Sequence, residues 1–355
     1  MLLPARPSLP APAVRDAVGV TRLARITGLD RTGVEVACAI RPGGHVLQVS
    51  NGKGRTFAHA ARAALSEAAE LAAAEQVPLP RLRFGTRAQL AAGGLPTTVL
   101  PAPEGTDDVV LSWVEGKGTL TGARTWVPAQ AVYCPPAGAL LGPALFTWTS
   151  NGLAAHPRVV PAVRHALREV IERDQLARAL PRGWTAREVS RRRLPEAALP
   201  ASVRSRLEDL ARRGFLLGLF DLRPAGGLGV PVAGALLLDE PGSPVPMTAG
   251  YAAAADWATA LEGAALEAAQ SRLTDIHGAR EDVGPSNGDE ASAVRAWLER
   301  PVTPRGRGVR GGRRLSASAE VAWLSRCCLR GGLGEPVVVS LRGEPIHVVR
   351  VLVPG

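Results

Sequence analysis

The chain has 355 residues, of which 46% are hydrophobic and 21% charged, and carries a net charge of +10 at pH 7. That balance excludes a disordered chain and leaves room for a large core, while no apolar run is long enough to span a membrane. The positive charge points weakly to nucleic acid: aromatics are only 4%, lysine occurs only at Lys53 and Lys117, and arginines are spread along the chain.

The first residues, MLLPARPSLPAPAVRD, place prolines where a signal peptide needs an apolar stretch, so a cytoplasmic location is expected. Residues 1–13 read as a flexible proline-rich leader, and 14–355 as one domain with no composition break. From Val18 to Val49, β-branched positions and the turn Arg41-Pro42-Gly43-Gly44 predict a strand hairpin. A small-residue turn, SNGKG at Ser50–Gly54, then leads into an alanine-rich helix over 56–76. Further strands are expected in Leu82–Gly94 and Thr106–Cys134, with Trp113 and Trp126 as core anchors. Ser150-Asn151-Gly152 forms a second turn, and Pro157 allows a second helix to start with an apolar stripe of Ala162, Leu167, Val170 and Ile171. A basic helical segment over Thr185–Gly214 leads to strands at Leu216–Asp221 and Val230–Leu238. Gly250 precedes a third helix, ADWATALEGAALEAAQSR. Residues 284–318 read as a long Gly/Pro/Arg-rich loop with a short helix near Trp297, whose run PRGRGVRGGRR (Pro304–Arg314) is taken as a solvated loop. Strands at Val337–Leu341 and Ile346–Val353 close the chain. Alternating strand groups and long helices make this an α+β fold with mixed or antiparallel sheets. Cys38, Cys134, Cys327 and Cys328 show neither CxxC nor zinc spacing and are expected to be reduced thiols.

Three of these helices share a pattern. Each follows a small-residue turn and carries Glu-x-x-Glu or Glu-x-x-Gln: Glu67 and Glu70, Glu169 and Glu172, Glu267 and Gln270. Residues three apart lie on one helical side, roughly 5–6 Å between Cβ atoms, so paired carboxylates repel each other unless a cation sits between them. Hard divalent ions take such oxygens as ligands. A single pair reads as a solvated helix face; three copies at similar offsets from Gly52, Gly152 and Gly250 suggest helices delivering their acids to one centre. Arg173, Arg272 and Arg280 could address phosphate oxygens, although Arg173 could equally pair with Glu169, and Arg280 with Asp282. No GxxxxGKS/T phosphate loop, GxSxG elbow, HExxH motif or ligand-spaced histidine pair is present, and His165 reads as a helix-surface residue.

The chain resembles the YcaO family over nearly its whole length. The resemblance rests on the order and spacing of TRLARITGLDRTGVEVACAIRP, SNGKG with the Glu67/Glu70 helix, SNGLA with LREVIERD, FDLRPAGGLGVPVAGALL, ALEAAQSRLTDIHGARED and the closing VVRVLVPG. It implies a single YcaO-type domain with pseudo-repeated alanine-rich helices around a central ATP site, using ATP and Mg2+. Metal ligation is expected at Glu67, Glu70, Glu169, Glu172 and Glu267. Nucleotide binding is expected at these and at Ser50, Lys53, Arg173, Gln270 and Arg272, with Arg173, Gln270 and Arg280 as catalytic residues. The implied reaction adds a nucleophile to a backbone amide, whose oxygen takes the γ-phosphoryl group of ATP and leaves as phosphate. A neighbouring Cys, Ser or Thr side chain would give an azoline, a sulfide equivalent a thioamide, and an amine an amidine.

This chain departs from the family's Ser-x-x-x-Glu-x-x-Glu-Arg at two positions, Ala63 and Leu71. Those losses raise a second reading, a catalytically weak scaffold subunit. The ending Val353-Pro354-Gly355 lacks a proline-rich tail, and no fused leader-binding or E1-like domain is read. A standalone member is therefore expected, acting on a peptide or protein with a separate TfuA-like or peptide-binding partner, with homodimerisation as one arrangement. Membrane and nucleic-acid partners are not expected.

Overall fold

The computed structural model describes residues 12–135, 141–279, 288–302, 309 and 311–355. A first group of elements comprises α1 (Pro12–Val18), β1 (Arg22–Arg25), β2 (Glu35–Ile40), β3 (Val49–Gly54) and α2 (Phe57–Ala74). Then come β4 (Arg83–Gly85), α3 (Arg87–Ala92), β5 (Leu111–Gly118), β6 (Arg124–Pro128), β7 (Leu153–His156) and α4 (Val159–Ala179). Helices α5 (Ala186–Arg192) and α6 (Ala201–Arg212) lead to β8 (Leu216–Asp221), β9 (Val232–Leu238), β10 (Met247–Ala253) and α7 (Trp257–His277). Helices α8 (Gly288–Leu298) and α9 (Ala317–Arg330) precede β11 (Val337–Arg342) and β12 (His347–Leu352).

The strands form three sheets in the orders β1-β2-β3, β10-β9-β8 and β4-β5-β11-β12-β7, with β6 also paired to β5. Every pairing between these strands is antiparallel, for example Asn51 opposite Cys38 and Gly250 opposite Ala235. The α+β expectation holds. The strands β3, β7 and β10, which lead into the three glutamate helices, each lie at the edge of a different sheet.

Local chemistry explains the helix ends. The Thr56 side chain accepts the His59 N–H and starts α2, the Asp256 carboxylate accepts the Thr259 N–H and starts α7, and Gly278 stops α7 with φ +61°. Pro161 lies in the first turn of α4, where its missing N–H breaks no helical bond. Alanine makes α7 slender: Ala260, Ala264, Ala265, Ala268 and Ala269 are all buried and fill a core with Leu219, Leu237 and Phe215. A second core joins α4 to α9 and β12 through Leu167, Ile171, Leu324 and Val349. Trp113 and Trp126 are buried anchors of a smaller cluster, as expected.

Several expectations change. Ser50–Gly54 is not a turn but strand β3, fully laddered to β2. Gly250 likewise lies inside β10. Glycine serves there because a Cβ on Gly52 would overlap the backbone of Ala60 and Ala64, and one on Gly250 that of Ala264 and Ala268. Leu82–Gly94 holds one short strand and then α3, opened by a capping box of Thr86 and Gln89. The basic helical segment is two helices, parted where Pro195 and Pro200 interrupt helical bonding. The 284–318 loop contains α8 and the start of α9, a helix not expected from the sequence, while 303–308 and 310 lie outside the described residues. Ser316 caps α9, and Leu324, Cys327 and Cys328 form its buried stripe. All four cysteines are free, and burial pushes the Cys328 thiol up to about 12. Residues 1–11 of the leader also lie outside the described residues. Among the described residues, no helix is long and apolar enough to cross a membrane.

Candidate active site

The three glutamate helices close a ring. Helix α2 packs on β3 and also touches β7, α4 packs on β7 and touches β10, and α7 packs on β10 and touches β3. Hydrogen bonds follow the same circuit. Glu67 accepts the Asn51 N–H of its own leading strand at 3.0 Å, whereas Glu70, one turn on, accepts the Ala155 N–H of β7 at 2.8 Å. Gln270 donates to the Asn51 carbonyl at 3.0 Å, and Lys53 bonds Glu267 at 3.0 Å. Glu169 accepts from the Gly152 N–H. The α2 and α7 pairs therefore each lie at a seam between one strand–helix unit and the next.

Glu172 stands apart in this pattern. It is 8% exposed, lies opposite the β10 seam, and among the described residues has only Arg173 as an ionic neighbour, at 3.7 Å, with no hydrogen bond. Its pKa is pushed up to about 8 by burial and then by the Glu267 charge. Burial raises Glu169 to about 7 against the opposing pull of Arg173 and Arg350. Burial, then the charges of Glu169 and Glu67, hold Glu70 well above the usual carboxylate range. Crowded carboxylates with raised pKa values in one recess are the electrostatic mark of a cation site.

Two residues absent from the expected set border the ring. Arg350 on β12 is buried, donates to the Thr149 carbonyl at 2.7 Å and has a partnerless Nε. Burial lowers its pKa to about 10, against the opposing pull of Glu169. A lone arginine in the apolar strand VVRVLV was the available signal, since packing alone gives no reason for it. Tyr251 on β10 has its hydroxyl bonded by Trp184 Nε1 at 3.1 Å, and burial raises its pKa. His165 on α4 reaches solvent, as expected of a helix-surface residue.

The structure brings Glu67, Glu70, Glu169, Glu172, Glu267, Gln270 and Lys53 into one ring, with Arg173 exposed at its rim and Ser50 buried in β3. Arg272 departs from its expected phosphate role. Its guanidinium is buried and engaged on every side, by both Asp30 oxygens at 3.1 Å, Asp239 at 2.6 Å and the Val245 carbonyl. Each of its three nitrogens already donates to one of these groups in a buried position, which holds the side chain in place and ties α7 to the turn after β9. Arg280 lies outside the described residues. Leu71 is buried at 3% exposure and Ala63 is half-buried.

The donor chemistry suits Mg2+: the acids are hard oxygen ligands, and the buried amide oxygens of Asn51, on β3, and Asn151, in the turn before β7, also lack donors. Among the described residues, no three acidic, cysteine or histidine side chains are gathered tightly enough to grip an ion by themselves. Mg2+ commonly keeps waters and takes phosphate oxygens beside one or two carboxylates, which an open ring permits.

These features describe a class: an α+β protein with a ring of buried and half-buried carboxylates on three strand–helix units and no phosphate-loop motif in its sequence. The family model described as YcaO cyclodehydratase, ATP- and Mg2+-binding, matches residues 51–355, and the chain belongs to the YcaO family. A relative from Rhizobium leguminosarum bv. trifolii, described as an uncharacterised protein in the tfuA 3′ region, is 30% identical over 370 residues, covering 97% of this chain and 85% of that one. YcaO from Methanopyrus kandleri, solved with AMPPCP and Mg2+, is 25% identical with a TM-score of 0.72, covering 97% of this chain and 87% of that one. A heterocyclase solved with substrate and cofactor shares the fold at 20% identity and a TM-score of 0.71, with 95% of this chain matching 49% of that one. The protein is thus an ATP-dependent enzyme of this family, with ATP and Mg2+ as its cofactors.

Proposed function

We propose that residues 14–355 use Mg-ATP to phosphorylate the oxygen of a backbone amide in a peptide or protein, giving a thioamide or an azoline, in the cytoplasm and together with a TfuA-like or peptide-binding partner. The observation that carries this reading is the closed ring of Glu-x-x-Glu/Gln seams. Bound Mg2+ would supply positive charge against the charge that develops on the phosphate. Glu169, Glu172 and Glu267 would hold it from one side, and Glu67 and Glu70 from the other. Arg173, exposed beside Glu172, can swing to a phosphate oxygen without breaking a buried bond. The neighbouring tfuA locus of the Rhizobium relative supports the choice of partner. The buried Leu71 weighs against a scaffold subunit: the side chain that replaces the family's arginine is packed rather than left beside a void.

The decisive experiment follows oxygen. With 18O in the target amide and the partner and peptide supplied, label should appear in released phosphate, because that oxygen departs bonded to phosphorus. Label retained in the peptide excludes amide phosphorylation. Without peptide, ATP hydrolysis should be slow, because in this reading the acceptor of the γ-phosphoryl group is the amide oxygen and not water.

A pH dependence also follows. Glu169 and Glu172 have folded pKa values of about 7 and 8, above the ordinary 4.5, so the folded state binds more protons than the unfolded one between those values. Metal-free stability is therefore undiminished by these groups below about pH 4.5 and falls as pH rises towards 8. Mg2+ with a non-hydrolysable ATP analogue should raise the melting temperature markedly at pH 8 and hardly at pH 5. Equal shifts at both pH values in thermal-shift measurements would contradict this electrostatic reading.

A further inference from the structure

A cavity of about 680 Å3 lies beside the ring, with five arginines in its wall: Arg55, Arg164, Arg168, Arg313 and Arg314. It continues the ring along two elements. Lys53 and Arg55 alternate onto the same side of the chain as it leaves β3; Lys53 bonds Glu267 in the ring, and Arg55 bonds Glu262 in the cavity wall. Glu262 lies five residues before Glu267 on α7, roughly 7–8 Å along the axis. On α4, Arg164, Arg168 and Glu172 succeed each other at four-residue steps on one stripe, about 12 Å in all.

The cavity's own acids do not neutralise it. Glu262 is held by Arg55, and the Asp256 carboxylate caps α7 at the Thr259 N–H and hydroxyl. Glu320 is almost fully buried and takes Arg168 in two parallel bonds of 2.7 and 2.8 Å, leaving Arg164 only a distant 3.9 Å contact. Arg313 stacks over Trp323, and Arg314 has no hydrogen bond or ion pair among the described residues. Among the described residues five guanidinium groups face three carboxylates, and Arg164, Arg313 and Arg314 are left without a carboxylate of their own. Burial and the charge of Arg168 disfavour the Arg164 cation, so an incoming anion would relieve a real strain.

We infer that this cavity receives an acidic side chain of the peptide whose amide the ring activates, two to four residues from that amide. An extended chain advances about 3.3 Å per residue, so two to four residues span the roughly 7–12 Å between ring and cavity. The inference rests on the peptide activity proposed above and adds a substrate class to it.

The test uses the full-length protein and fluorescein-labelled ten-residue peptides. In one, a central cysteine has glutamates two to four residues away on both sides; in the other, glutamines replace them. By fluorescence anisotropy in 0.15 M salt, the wild type should bind the glutamate peptide about tenfold more tightly. Arg164→Gln with Arg314→Gln should erase that preference and leave Mg-ATP affinity, measured by calorimetry, unchanged. Arg178→Gln with Arg182→Gln, outside the cavity, should preserve it. The inference is overturned by a wild type with no preference, by a preference surviving in the cavity variant, or by equal loss in the outside pair, which would mark a general field effect. Loss of Mg-ATP affinity in the cavity variant would also overturn it, assigning the cavity to the nucleotide. A wild type that fails to bind Mg-ATP at all strikes at the proposed activity, whichever peptide it prefers.

Discussion

Replacing Glu169 and Glu172 together with glutamine should abolish Mg-ATP binding while raising the melting temperature of the metal-free protein. Both effects come from one cause. The two carboxylates lie one turn apart on α4, in a recess whose burial and neighbouring charge already raise their pKa values. Neutral amides of the same shape remove that repulsion and keep the packing against β7 and β10, so the fold gains what the metal loses. Calorimetry with Mg-ATP and thermal unfolding in EDTA check the two halves separately. Normal binding by the double variant would dissolve the shared centre. A fall in melting temperature would mean that the carboxylates hold the fold together rather than strain it.

Gly52→Ala or Gly250→Ala should each cost about 3 kcal/mol of stability, an overpacking penalty well beyond a methyl group's usual effect. Neither glycine is needed for a left-handed backbone, because both lie in regular strands. What they permit is contact between strand and helix backbones. The added Cβ would meet the main chain of α2 at Ala60 and Ala64, or of α7 at Ala264 and Ala268, and backbone cannot rotate aside as a side chain can. Separating the layers would also pull Glu67 from the Asn51 N–H and Gln270 from its carbonyl, so nucleotide affinity should fall together with stability. Gly28→Ala is the control: nothing lies within 4 Å of where its methyl group would sit, and urea titration should find it near neutral. If all three variants behave alike, the close approach is not what holds the ring in register.

Much of this protein can be read directly from its residues. The period of apolar positions locates α2, α4 and α7, and short apolar runs, β-branched in β11 and β12, place β8, β9, β11 and β12 within a residue or two, because local propensity and burial agree there. The acids are legible as well, since Glu-x-x-Glu recurs on helices with the same alanine-rich face. Other features required the third dimension. Ser50–Gly54 looks like a turn because glycine and asparagine favour turns, yet it is a strand whose glycines are selected by a helix lying across them. Arg272 looks like a phosphate ligand and is instead buried and paired with Asp30 and Asp239, 242 and 33 residues away in the chain. Tyr251 and the arginine cavity belong to no local pattern, because their surroundings are assembled from elements that meet only when the sheets are stacked. The sequence by itself determined which residue types are delivered and on which helices. Only the tertiary structure decided which carboxylates share a recess and which arginines remain unmatched, because charge interactions depend on distance and burial rather than on position along the chain.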